Sequence, residues 1–183
     1  MSIKTYFQKR ILQNENKKNS REKQLKNFAE IKSVLVLASL KFEKDWDVWE
    51  RYFNNLSSHI KKVDIIAFVN EKKNKQDQEN LPENLIFPHQ INWFGNANDR
   101  LKLKAYEEFQ YDVLIDLNFD DLFVLNQVFV KSKSTLKVCS DERKTHLQFC
   151  DLLLKTDSPN TKQKLYIDQV FYYLRQINSN GSS

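Results

Sequence analysis

A chain of 183 residues with 40% hydrophobic and 13% aromatic residues is long enough to bury one core and too apolar to be a disordered polymer. Its formal charge of +5 is unevenly placed: residues 1–30 hold eight Lys and Arg against three Glu, while residues 31–183 balance 21 basic against 21 acidic side chains. Three Pro and two Gly exclude the glycine-rich nucleotide motifs, and no apolar run approaches the ~20 residues of a membrane span.

Residues 1–30 read as a basic arm carrying Lys4, Lys9, Arg10, Lys17, Lys18, Arg21 and Lys23. Ile3, Tyr6, Phe7 and Ile11 recur at helical spacing, which predicts an amphipathic helix that breaks around 14–19 and resumes near Ser20. The apolar stripe needs a covering surface, and docking on the body of the protein is the expected one. The opening MSIKTYFQKRILQ lacks the apolar core of a secretory signal.

SVLVLAS (33–39) is a continuous apolar run, the pattern of a strand buried on both faces, and VDIIAFV (63–69) and YDVLIDLN (111–118) read as a second buried strand and a third clear one. Between the first two, Asp47 and Glu50 form a capping box for a helix whose Val48, Trp49, Tyr52, Phe53, Leu56 and Ile60 share a core face. LIFPHQI (85–91) is expected to hold a short strand that Pro88 ends or confines to an edge. LFVLNQVFV (122–130), capped by Asp120 or Asp121, is apolar on nearly every side, so it is either covered twice or a dimer contact. TLKVCS (135–140) and CDLLLKT (150–156) read as short strands, and 161–178 as a helix burying Ile167, Val170, Phe171, Leu174 and Ile177 with Tyr172 outward. Strands alternating with helices imply a Rossmann-like three-layer α/β domain with a mostly parallel sheet over 31–178, followed by a tail at 179–183.

Chemistry is sparse. Ligands of such sheets sit beyond the carboxyl ends of the strands, where Ser39, Asn118, Asp120 and Arg143 form a polar rim. INWFGNANDRLKLK (91–104) offers a lone Gly95 for a turn, with Asn98 as a helix cap and Arg100 beside it, a combination that could attract an anion. Asp116, Asp120 and Asp121 could gather a cation, but capping explains Asp120 or Asp121 more simply, and strand alternation turns Asp116 inward to bond local backbone. His59, His89 and His146 lack metal-ligand spacing, and Cys150 with His146 four residues before it opens a buried strand. Cys139 and Cys150, both in apolar stretches, are expected to be free thiols of a cytoplasmic protein. No catalytic residue, metal or cofactor is expected.

The series IKSVLVL (31–37), INWFG (91–95), YDVLIDL (111–117), KVCS (137–140) and CDLLLK (150–155) resembles a small family of flavobacterial and other Bacteroidota proteins. That resemblance implies a fold and a cytoplasmic bacterial setting, and no activity. More distantly, YDVLIDLN and KSTLKVCSDER (111–143) are similar to the N-terminal half of heptosyltransferase-like glycosyltransferases. Cys139 stands where those enzymes have a glycine, the glycine loop after the first strand is missing, and the chain has length for one of their two domains. No catalytic residue carries over. The expectation is a binding or adaptor domain whose arm meets an anionic partner, RNA or the ribosome before an acidic membrane. The alternative is a degenerate glycosyltransferase-like domain for a small phosphorylated ligand.

Overall fold

The apolar runs assemble into one sheet in the computed structural model, which describes residues 2–41, 45–56, 60–71, 83–98, 103–141, 147–155 and 163–177. Among the described residues the strands are β1 (Ser33–Leu40), β2 (Lys62–Val69), β3 (Leu85–Ile86), β4 (Val113–Leu117), β5 (Leu136–Ser140) and β6 (Leu152–Leu154). All pair in parallel in the order β3-β2-β1-β4-β5-β6. The order reverses between β1 and β4, the doubly wound α/β arrangement.

Side chains alternate across the pleat, so each strand feeds two cores. Val34, Val36 and Ala38 of β1 pack under α2 (Asp45–Leu56) and α5 (Gln163–Gln176), against Phe53, Ile167, Val170 and Leu174. Leu35 and Leu37 face α1 (Ile3–Lys18), α3 (Leu103–Glu108) and α4 (Phe123–Lys131), through Leu12, Leu103, Leu125 and Val128. β1 is buried at every position, which is why it reads as an unbroken apolar run. The apolar α4 is likewise covered twice, by the sheet beneath and by α1 and α3 beside it, and seven of its nine residues are buried. A dimer through 122–130 would first have to lift α1.

Several local expectations are corrected. α1 does not break at 14–19; it runs to Lys18 because Asn19 ends it, its N–H bonding the carbonyls of Glu15 and Asn16. No helix resumes at Ser20, and the chain has no regular secondary structure until a 3-10 turn at Phe28–Glu30. α2 starts at Asp45, so Asp47 lies inside the first turn, where carboxylates favour the helix dipole, and Val48 is exposed. Neither Asp120 nor Asp121 caps α4: Leu122 takes that place, and its N–H donates to the Asn118 Oδ1 at 2.9 Å. The largest correction is at the cysteines. Cys139 and Cys150 form a disulfide with Cα atoms 6.0 Å apart, because parallel pairing of β5 with β6 brings the two chain segments side by side. Disulfides are rare in a reducing cytosol, so the bridge pulls against the cytoplasmic expectation. No helix among the described residues is long and apolar enough to cross a membrane.

Candidate anionic-partner interface

α1 is capped by Ser2, whose Oγ accepts from the Thr5 N–H at 3.1 Å. The face it turns to the body is mostly polar. Leu12 is buried, the Gln8 amide donates to the Phe94 carbonyl at 2.6 Å, and the Lys4 ammonium donates to the Trp93 carbonyl at 2.6 Å. At its end, the Asn19 amide donates to the carbonyls of Val130 and Ser132 at 2.7 and 2.8 Å, satisfying the open C-terminus of α4. Of the stripe expected to dock, Ile11 alone packs on the body, partly buried beside Leu12, and the rest faces solvent: Ile3 is 79% exposed, Tyr6 55% and Phe7 49%. At about 100° per residue, Arg10 and Lys17 fall on the same outward side as Ile3 and Phe7. Both are exposed, so aromatic and cationic groups share one face.

The chain after α1 is a strap fastened by charge. The Arg21 Nη2 donates to both carboxylate oxygens of Asp151 at 2.7 and 2.6 Å, and its Nη1 donates to the carbonyls of Ser134 and Thr135 at 3.1 Å. These side chains are only 5% and 12% exposed, so Arg21 is an anchor inside the protein. Lys23 adds a looser contact to Asp151 at 3.3 Å, and Lys26 pairs with Asp112 at 2.5 Å. Burial by itself pushes the Asp151 carboxyl up, but Arg21 and the Lys137 N–H outweigh it and hold the group below the usual carboxylate range. Asp112 is held low in the same way, its burial outweighed by Lys26 and the N–H groups of Lys32 and Ser33. Of the arm's cations, Lys9, Arg10, Lys17 and Lys18 stay on the surface, Lys18 beside Glu15 at 3.2 Å.

Folding adds residues that the sequence reading left out. Lys131 and Lys133 meet Lys18 around a groove of about 290 Å³ at the far end of α1. Lys131 lies 3.6 Å from Glu107, whose carboxyl is raised by burial in spite of that lysine. At the near end Trp93 is 82% exposed. The signal for Trp93 was a bulky aromatic inside a polar turn, where burial is hardest. The two lysines had no signal, because only packing of α1 on α4 brings them near the arm.

The Gly95 turn is occupied from within. The N–H groups of Phe94, Gly95 and Asn96 all donate to the Asn92 Oδ1, at 3.0, 3.0 and 3.1 Å. An anion would have to displace that oxygen. Gly95 takes φ +100°, and a Cβ there would sit 3.2 Å from the Phe123 Cβ. Its role is close approach: the turn abuts α4 and presents two carbonyls to α1, leaving a cleft of about 370 Å³ among Lys4, Gln8, Gly95 and Leu122. The Asn98 N–H bonds the Gln90 carbonyl, and Arg100 lies outside the described residues.

The strand ends are polar but largely tied into the protein. Asn118 is fully buried, its amide donating to the Leu122 carbonyl at 3.0 Å and to the Asn126 Oδ1 at 2.7 Å. Asn126 in turn donates to the Asp121 Oδ1 at 2.9 Å, across a residue at φ +55°. Asp116 is buried and accepts from the Asn118 N–H, Ser39 is buried, and Asp120 is exposed. Arg143, His59 and His146 lie outside the described residues. With Cys150 bridged, its sulfur is no thiolate nucleophile. No group of three metal-ligating side chains comes together among the described residues.

One buried cation was not anticipated at all. Lys137, on β5, is fully buried and its ammonium donates to the Phe129 carbonyl at 2.5 Å and the Val130 carbonyl at 3.3 Å. It thus serves the same helix terminus as Asn19. Desolvation, with Arg21 nearby, pushes its pKa well below the usual lysine value.

No curated protein and no solved structure matches this chain. A family model does match, over residues 4–177, a span that includes α1 from Lys4 on, the strap and the whole sheet. The chain belongs to that family, a family of unknown function (DUF6913).

Proposed function

We propose that this protein is a binding domain that takes up RNA along the outward face of α1. The observation that carries the reading is the exposure of Ile3, Tyr6 and Phe7 on the side that also presents Arg10 and Lys17. Cations supply affinity for phosphate and aromatic rings supply stacking, the pairing used by proteins that hold flexible nucleic acid. At 16 residues the helix is about 24 Å long, and Lys133 extends its charge at one end, beside Lys18 and Lys131 that pair with Glu15 and Glu107. An acidic membrane is the weaker fit, since Arg10 interrupts the apolar face one turn after Phe7 and limits how deep the helix can insert. A small phosphorylated ligand at the strand ends is weaker again, with Asn118 already bonded on both sides. A bacterial setting belongs to the same proposal.

The test is RNA affinity against salt. Deleting residues 1–27 would remove Leu12 and Arg21 from the folded body, so point changes are the cleaner perturbation. Arg10→Ala with Lys17→Ala should weaken binding and lower the slope of log affinity against log salt by about 0.7 per lost phosphate contact. Equal affinity and slope in the wild type and the double variant would refute the reading.

A further inference from the structure

We infer that Trp93 is a base-stacking residue, and that the RNA held by this protein is single-stranded where it passes the INWFG turn. This rests on the RNA reading above and adds a contact outside the arm and a strandedness to it.

Trp93 is 82% exposed, an unusual state for the largest apolar side chain. Its backbone is fixed from several sides. The Asn92 Oδ1 ties the three following N–H groups, the Lys4 ammonium holds the Trp93 carbonyl at 2.6 Å, and the next ring, Phe94, packs edge-on against Phe123 at 5.6 Å. The indole is therefore carried on a rigid support, edge-on to the Phe94 ring at 5.6 Å, with most of its surface in water. Pre-organisation of this kind reduces the ordering cost of a contact, and folding itself gains little from leaving the ring exposed.

The surroundings select the occupant. Lys4 joins the turn directly to α1, whose outward face carries Tyr6, Phe7 and Arg10. The partner must bring negative charge for the cations and flat faces for the rings. A single strand exposes both base faces and phosphates; in a duplex the base faces are covered by their neighbours. Stacking is tolerant of sequence because every base has a π face, so a general rather than a sequence-specific reader is expected.

The experiment is fluorescence anisotropy with a labelled single-stranded RNA of about 12 nucleotides, the duplex of the same sequence, and phosphatidylglycerol–phosphatidylcholine vesicles as a third probe. Trp93→Ala should lose about tenfold of single-strand affinity with an unchanged salt slope, because no phosphate contact is removed. Trp93→Phe should retain most of the binding, and the duplex should bind more weakly than the single strand. Thermal melting should be the same in all three proteins, since the ring is exposed. If Trp93→Ala binds the single strand as the wild type does, or if the duplex binds as tightly, this inference fails while RNA binding stands. If the wild type binds neither RNA, or binds only the acidic vesicles, the RNA reading itself fails.

Discussion

Arg21→Ala should behave as a stability mutation and not as a binding mutation. In the fold the guanidinium makes four hydrogen bonds, two to Asp151 and two to the carbonyls of Ser134 and Thr135, with both charged side chains mostly withdrawn from water. Breaking a fully buried pair costs about 3–5 kcal/mol and an exposed one under about 1. Asp151 keeps Lys23 and the Lys137 N–H as remaining partners, which lowers the expected loss to about 3 kcal/mol. With a urea slope of about 2 kcal/mol/M, the unfolding midpoint should fall by roughly 1.5 M. Arg21→Ala/Asp151→Ala should lose less than the two single changes added together, because the pair is coupled. Acid titration supplies a second check. Asp151 has a folded pKa below its unfolded value of 3.8, so its stabilisation is present above that pH and disappears as pH falls through the folded value. That acid-sensitive part should shrink in Arg21→Ala. A loss under about 1 kcal/mol, with additive single changes, would show that the strap is held by ordinary surface charge and that the buried-anchor reasoning is wrong.

Gly95→Ala forces a Cβ into a positive-φ turn 3.2 Å from Phe123, which should cost about 1–3 kcal/mol in urea unfolding and speed amide exchange across α1; an unchanged midpoint would contradict the close-approach role. Lys137 binds its proton more weakly when folded, so between the folded pKa and its ordinary 10.5 the unfolded chain holds more protons. Stability should accordingly rise with pH through that window, and Lys137→Met should flatten the rise in pH-resolved melting. Thiol titration of the denatured, unreduced protein should find no free Cys139 or Cys150, and reduction should cost about 3 kcal/mol for a loop of this length; two titrating thiols before reduction would refute the bridge.

Much of the architecture was written in local patterns. The runs around Val34–Ala38 and Ile65–Val69 are apolar at every position and Val113–Leu117 at every position but Asp116, a pattern that strands covered on both faces need. Their alternation with helices leads to a parallel sheet, because parallel neighbours require crossovers. The candidate surface was only half legible. Charge counting located the basic arm, since composition needs no geometry. Hydrophobic spacing then placed Ile3, Tyr6 and Phe7 against the body, whereas of that stripe only Ile11 packs there, beside Leu12. What decided the docking was hydrogen bonding: the Trp93 and Phe94 carbonyls and the open end of α4 needed donors, and Lys4, Gln8 and Asn19 supply them. The sequence by itself determined the fold class and where the excess charge lies. Only the tertiary structure decided that Arg21 is an anchor, that Cys139 meets Cys150 and that Trp93 stands beside the arm, since each depends on pairing residues far apart in the chain or on strand register.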